Sequence, residues 1–197
     1  MQKLRKEDLW SLELYDQKRQ AFRAQLIEHK KNRRLPLGAH ANLYFEDRLT
    51  MHYQIQEMLR AERIFSSAGI AEELETYNPL IPDGDNWKAT FMLEYENVEE
   101  RQLACREFIG IEDKIWVQIG EEARIYAIAD EDLTRETDEK TSTVHFLRFQ
   151  LNNDLKQKAL NGAGIRFGSD HPNYKVQATV SGAIAEALLE DLSEDVG

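Results

Sequence analysis

Residues 87–95 read WKATFMLEY. Trp87, Ala89, Phe91, Leu93 and Tyr95 recur at every second position, with Lys88, Thr90 and Glu94 between them. That period-two alternation belongs to a strand with one face in a core. The stretch follows NPLIPDGDN (78–86), a turn-rich loop in which two prolines fix backbone angles and Asp83-Gly84 supplies a positive one.

Upstream of that loop the period is helical. Over residues 6–29, Leu9, Leu12, Leu14, Phe22, Leu26 and Ile27 recur in steps of three and four, with breaks expected near Tyr15 and Asp16. Pro36 and Gly38 punctuate the chain, and 41–46 reads as a short strand. A second helix is expected over 48–66, N-capped by Asp47, striped by Met51, Ile55, Met58, Leu59 and Phe65, and closed by Gly69. A short helix at 70–77 follows.

Downstream, strands dominate. A helix at 96–108 ends at Gly110, and strands 114–119 and 124–129 flank a turn containing Gly120, most simply as a hairpin. A polar connection at 130–142 leads to 143–151, the strongest strand pattern in the chain, then a helix at 154–160, a strand at 165–167 and a helix at 183–192. A helical N-terminal part followed by a mostly antiparallel sheet packed with helices is an α+β pattern, and no composition shift divides residues 1–197 into more than one domain.

With 42% hydrophobic and 31% charged residues, the chain has the composition of a well-solvated globular protein. The lone Cys105 excludes an internal disulfide and a CxxC motif. MQKLRKEDLW lacks the apolar core of a signal peptide, and no apolar run approaches the ~20 residues of a membrane helix, which predicts a cytoplasmic protein without a membrane partner. A net charge of −11 argues against nucleic-acid binding. The charge is uneven: residues 18–34 carry seven cations against Glu28 alone, leaving −17 for the rest.

Several segments together carry a resemblance: HKKNRRLPLGAHANLYFEDRLTMHYQIQEMLRAERI (29–64), YNPLIPDGDNWKATFMLEY (77–95), GIEDKIWVQIG (110–120), YAIADEDL (126–133) and EKTSTVHFLRFQL (139–151). Over nearly its whole length the chain resembles a bacterial family known only as domain of unknown function 3501. The resemblance implies no assigned activity. It implies an association with rubrerythrin-like and iron–sulfur proteins, and so with redox or iron metabolism.

The candidate residues are polar groups on apolar faces. Glu62 shares the stripe of the second helix, where a carboxylate must be paired, protonated or metal-bound. His145 shares a face of strand 143–151 with Leu147, Phe149 and Leu151. It fits a satisfied core histidine, a metal ligand or a general base. His52 and Glu57 are weaker ligand candidates on the second helix. An intrahelical Glu57–Arg60 pair is the commoner reading there, and no HExxH motif is present. Arg148 and Lys88, both on strands, suit an anionic ligand between the sheet and the second helix. Lys30, Lys31, Arg33 and Arg34 fit either a solvated face or a docking site for an acidic partner. Cys105, in a helix with Arg101 and Arg106 near in sequence, reads as a buried inert thiol unless exposed. No P-loop, dinucleotide fingerprint or GxSxG elbow is present. Three readings follow: an accessory protein of redox or iron metabolism that binds an acidic or redox partner, a protein holding a transition metal through Glu62 and His145, and a module for a small anionic ligand.

Overall fold

A computed structural model describes residues 2–131, 135, 137 and 139–193. The alternating stretch forms β3 (Asn86–Leu93), the centre of a five-stranded antiparallel sheet. Its neighbours are β2 (Ala41–Phe45) and β7 (Val144–Gln150), flanked by β1 (Arg34–Leu37) and β6 (Ile128–Ala129). A second antiparallel sheet holds β5 (Ile125–Tyr126), β4 (Ile115–Ile119), β8 (Ile165–His171) and β9 (Tyr174–Thr179), in that order. The protein is α+β, and no helix among the described residues is long and apolar enough to cross a membrane.

The sheets face each other across one core. Phe167 of β8 packs its ring against Phe45, Trp87 and Phe149 of the first sheet, with centroids 5.0–5.9 Å apart. Along one edge the chain changes sheets at Ala127: β5 pairs β4, β6 pairs β7, and the Ala127 N–H donates to Ile115 O at 2.8 Å. This splits the single strand expected over 124–129, because a strand that turns a corner must change partners. Along the other edge the Tyr174 hydroxyl donates to Leu37 O at 2.5 Å, and a Cβ on Gly38 would lie 2.9 Å from that hydroxyl. Neither β1, taken in the sequence for punctuation around Pro36, nor β9 was expected. The strand at 165–167 extends to His171.

Helices cover the sheets. After a 3-10 turn at Lys6–Asp8, α1 (Leu12–Lys31) starts at Ser11, whose side chain accepts from Leu14 N–H. The break lies there, not at Tyr15. α2 (Arg48–Ala61) is capped by Asp47 as expected but ends with Glu62 as C-cap and Arg63 in the left-handed region (φ 55°). Ser66 then caps α3 (Ser67–Tyr77), so Gly69 lies in the first turn of a new helix. The stripe therefore stops at Leu59, and Phe65 is 82% exposed. α4 (Val98–Glu107), α5 (Asn153–Leu160) and α6 (Gly182–Leu192) follow, the last receiving a hydrogen bond from Trp87 Nε1 at Leu188 O, 2.7 Å. Part of the connection expected over 130–142, at residues 132–134, 136 and 138, lies outside the described residues.

Two buried ionic clusters are set into this frame. In the first, Arg33 makes a two-bond ion pair with Asp191 of α6 (2.8 and 3.0 Å), and its Nε lies 2.7 Å from Asp47. His29 Nε2 meets the same Asp47 at 2.5 Å. Burial alone would raise the Asp47 carboxyl. The His29 hydrogen bond and the Arg33 charge outweigh it and hold the group below the usual carboxylate range.

Candidate functional site

The second cluster surrounds His145. Along β7, His145, Leu147 and Phe149 are buried and their neighbours half-buried, so alternation sends the imidazole inward. Its Nδ1 lies 2.6 Å from Asp130 Oδ2. Its Nε2 lies 2.8 Å from Thr141 Oγ1 and 3.1 Å from Ser142 O. Asp130 follows β6 with φ 47°, a left-handed conformation uncommon outside glycine and most tolerated by Asn and Asp. That conformation lets Asp130 bracket β7. Its N–H donates to Phe146 O at 2.8 Å, and its Oδ1 accepts from Phe146 N–H at 2.9 Å and from Arg135 at 3.1 Å. Glu112, in the 3-10 turn Glu112–Lys114, accepts from the Thr141 hydroxyl at 3.3 Å and lies 3.7 Å from His145 Nε2. Thr141 N–H donates to Cys105 O, which ties the cluster to α4.

Glu112, Asp130 and His145 offer ligand atoms within 4.8 Å of one another, but they do not converge on one point. Asp130 faces Nδ1, and Glu112 faces Nε2. An ion bound at about 2.0–2.2 Å to one ring nitrogen leaves the carboxylate on the other nitrogen out of reach. The sequence carboxylate–imidazole–hydroxyl–carboxylate is instead a path along which a proton can shift.

Thr141 is buried, yet it lies in the wall of a cavity beside this cluster. The cavity, of about 560 Å³, lies between α4 and the strand leading into β7, and Ser142, Thr143, Arg101, Arg106 and Lys140 line it with Thr141. Arg135 and Cys105 also border the cavity, and none of the described residues that line it is acidic. Among the described residues Arg101, Arg106 and Lys140 make no ion pair, whereas cations elsewhere in this acidic chain are widely paired. Hydroxyls and unpaired guanidinium groups on a concave wall make a surface that can bind an anion.

The residues singled out from sequence fall differently. Glu62 is exposed at the end of α2, and the group that meets His145 is Glu112 and Asp130 instead. His52 packs between Trp10 and Phe22 with its Nε2 buried and without a hydrogen-bond partner. Burial, and then the Arg48 charge, push its imidazole down. Glu57 does not pair within its helix. Arg19 of α1 grips it at 2.7 and 2.8 Å, and with Tyr15 brings its carboxyl down to about 2. Arg60 meets Asp16.

Lys88 and Arg148 do share a cavity, of about 610 Å³, beside Tyr77, Leu80 and Phe146. Both are already paired there. Arg148 makes two bonds to Glu131, and Lys88 meets Asp83 at 2.8 Å and Pro79 O. Of the basic run, Arg33 is 3% exposed inside the first cluster and so unavailable to a partner. Lys31 pairs with Glu28, Arg34 with Asn42 and Glu94, and Lys30 is half-buried. Cys105 is buried, as expected. Sequence reading missed Glu112, Asp130 and Thr141, which lie 33, 15 and 4 residues from His145 and follow no local spacing. The nearness of Arg101 and Arg106 to Cys105 in sequence was the one available signal for the pocket.

The profile of a protein family of unknown function, DUF3501, matches residues 3–192. The chain belongs to the DUF3501 family. Among solved structures, the chain is similar to a novel protein of unknown function from Burkholderia pseudomallei K96243. It is 46% identical to this chain, with a TM-score of 0.92, and the match covers 98% of this chain and 100% of that one. No curated protein matches.

Proposed function

We propose that this DUF3501 protein binds a small oxyanion-bearing ligand, a phosphate, sulfate or carboxylate compound, in the pocket between α4 and the strand entering β7. The observation that carries this reading is the collection of Arg101, Arg106 and Lys140 around Thr141, Ser142 and Thr143, with no acidic residue among the described residues of the wall, on a chain of net charge −11. Exposed cations in such a chain find carboxylates unless something keeps carboxylates away. The hydroxyls supply short-range donors, and the guanidinium groups supply charge and a planar fork. The anionic-ligand reading of the sequence is thereby kept and its site moved from Lys88 and Arg148 to this pocket. An accessory role in redox or iron metabolism, or docking of an acidic partner through Lys30, Lys31 and Arg34, draws on the family resemblance and the charge pattern. Arg34 lines a cavity, but Glu94 and Glu96 line it too, so it does not favour an acidic partner over the pocket.

The test is titration calorimetry with sulfate and with oxalate. Saturable binding is expected, weakened at least roughly tenfold in Arg101→Glu/Arg106→Glu, the order of one charge-assisted hydrogen bond. Charge reversal at Lys175, exposed on β9, leaves it unchanged. Absence of saturable binding, or equal weakening by both variants, overturns the proposal.

A further inference from the structure

We infer that anion binding in this pocket takes up one proton at His145, with the Thr141 hydroxyl as the switch that couples ligand to imidazole. The inference rests on the anion-binding reading above and adds its regulation.

Donors and acceptors around the ring set the coupling. Asp130 accepts from Phe146 N–H, from Arg135 and from the ring, so His145 Nδ1 carries a hydrogen in every state. Only Nε2 can change. When Nε2 is bare, the Thr141 hydroxyl 2.8 Å away donates to it, and that hydrogen is used up inside the protein. When Nε2 is protonated, it donates to Thr141 Oγ1 or to Ser142 O at 3.1 Å, and Thr141 must turn its own hydrogen elsewhere. Two acceptors can take it: Glu112 Oε2 at 3.3 Å, or an oxygen in the pocket that Thr141 lines.

An anion in the pocket therefore gains a donor only when His145 is charged, and its negative charge favours that state. By linkage the reverse also holds: protonation tightens the anion. The proton comes from solvent, and no covalent bond to the ligand is made or broken.

The charged groups around the ring divide. Asp130, from the turn after β6, and Glu112, from its 3-10 turn, favour the imidazolium. Arg135, bonded to Asp130, and the pocket cations Arg101, Arg106 and Lys140 oppose it. The Phe91 ring, 6.4 Å away, is neutral, and Cys105 borders the pocket while its carbonyl holds Thr141 N–H. A bound anion offsets the pocket cations, which tips the balance toward charge on the ring.

Sulfate is the probe, because its charge is fixed between about pH 5 and 8, the range in which histidine titrates. Calorimetry of the full chain is run across that range and in buffers of different ionisation enthalpy. The wild type is expected to lose affinity as pH rises, approaching roughly tenfold per pH unit, and to take up close to one proton per sulfate. His145→Gln is expected to bind with an affinity independent of pH, and Thr141→Val with a clearly weaker pH dependence, because only the charge of the anion then acts on the ring. Thr141→Ser, which keeps the hydroxyl, is expected to restore the dependence and guards against a merely misfolded Val variant. Sulfate binding with no proton uptake overturns this inference and leaves the anion site standing. So does a pH dependence that survives undiminished in Thr141→Val. Absence of sulfate binding at every pH overturns the anion site itself.

Discussion

The two buried clusters are made of the same groups: one arginine, one histidine and two carboxylates, Arg33, His29, Asp47 and Asp191 in one and Arg135, His145, Asp130 and Glu112 in the other. They differ in what completes them. In the first, Asp47 is also the cap of α2, so its remaining bonds go to Thr50, and the cluster joins α1, α2 and α6. In the second, the hydroxyl of Thr141 stands between ring and carboxylate, and the residue lines a cavity. Identical chemistry thus serves as a tether where every bond closes on the fold and as a site where one bond can turn outward.

The sharpest way to break that comparison is at Arg33. Arg33→Met leaves Asp47 and Asp191 buried without their cation and is expected to cost about 3–5 kcal/mol of stability in urea unfolding. Arg33→Met/Asp191→Leu recovers much of that loss. A single-variant cost below about 1 kcal/mol means that the cluster is not a tether. In the second cluster, Asp130→Asn keeps a residue tolerant of the left-handed backbone and removes only the charge. Its expected cost is smaller, about 1–3 kcal/mol, and a loss as large as that of Arg33→Met erases the distinction.

Glu57 gives a third, pH-dependent contrast. Its carboxyl is depressed from 4.5 to about 2, chiefly by the Arg19 hydrogen bond. The sign is that of a lowered acid: the contribution is complete above the unfolded value near 4.5 and is lost as pH falls toward 2. The pair is partly exposed, so about 1 kcal/mol is expected, and Glu57→Gln flattens the stability profile across that window. The smallest effect is expected in the pocket wall. Arg101→Gln/Lys140→Gln changes stability by less than about 0.5 kcal/mol while weakening sulfate. A larger loss reassigns those cations to the fold.

Much of this fold was legible in sequence because its strands alternate cleanly. WKATFMLEY and TVHFLRFQL are adjacent antiparallel strands with Phe91 opposite His145. Helix ends were read well where a cap was polar, at Asp47, and poorly where termination needed a positive backbone angle at Arg63, which no residue type announces. Extending α2 past that point put Glu62 on a stripe that has already ended. His145 was recognised for its place on an apolar face. Its partners come from a turn after β6, a 3-10 turn and the strand approach, and only the closing of two sheets brings these together. Paired cations were the other obstacle. Lys88, Arg148 and Arg33 look as available in sequence as Arg101 and Arg106, and what separates them is the carboxylates that tertiary structure delivers.

The bond between Arg33 and Asp191 spans 158 residues. At the roughly 5–20 residues per second of synthesis, Arg33 exists for about 8–30 s before its acid does. For about the last 5–20 s of that interval Trp87 lacks the α6 carbonyl that receives its indole N–H. Until α6 arrives a nascent chain therefore holds a guanidinium without its Asp191 partner and an unsealed core, a window in which a chaperone has something to grip.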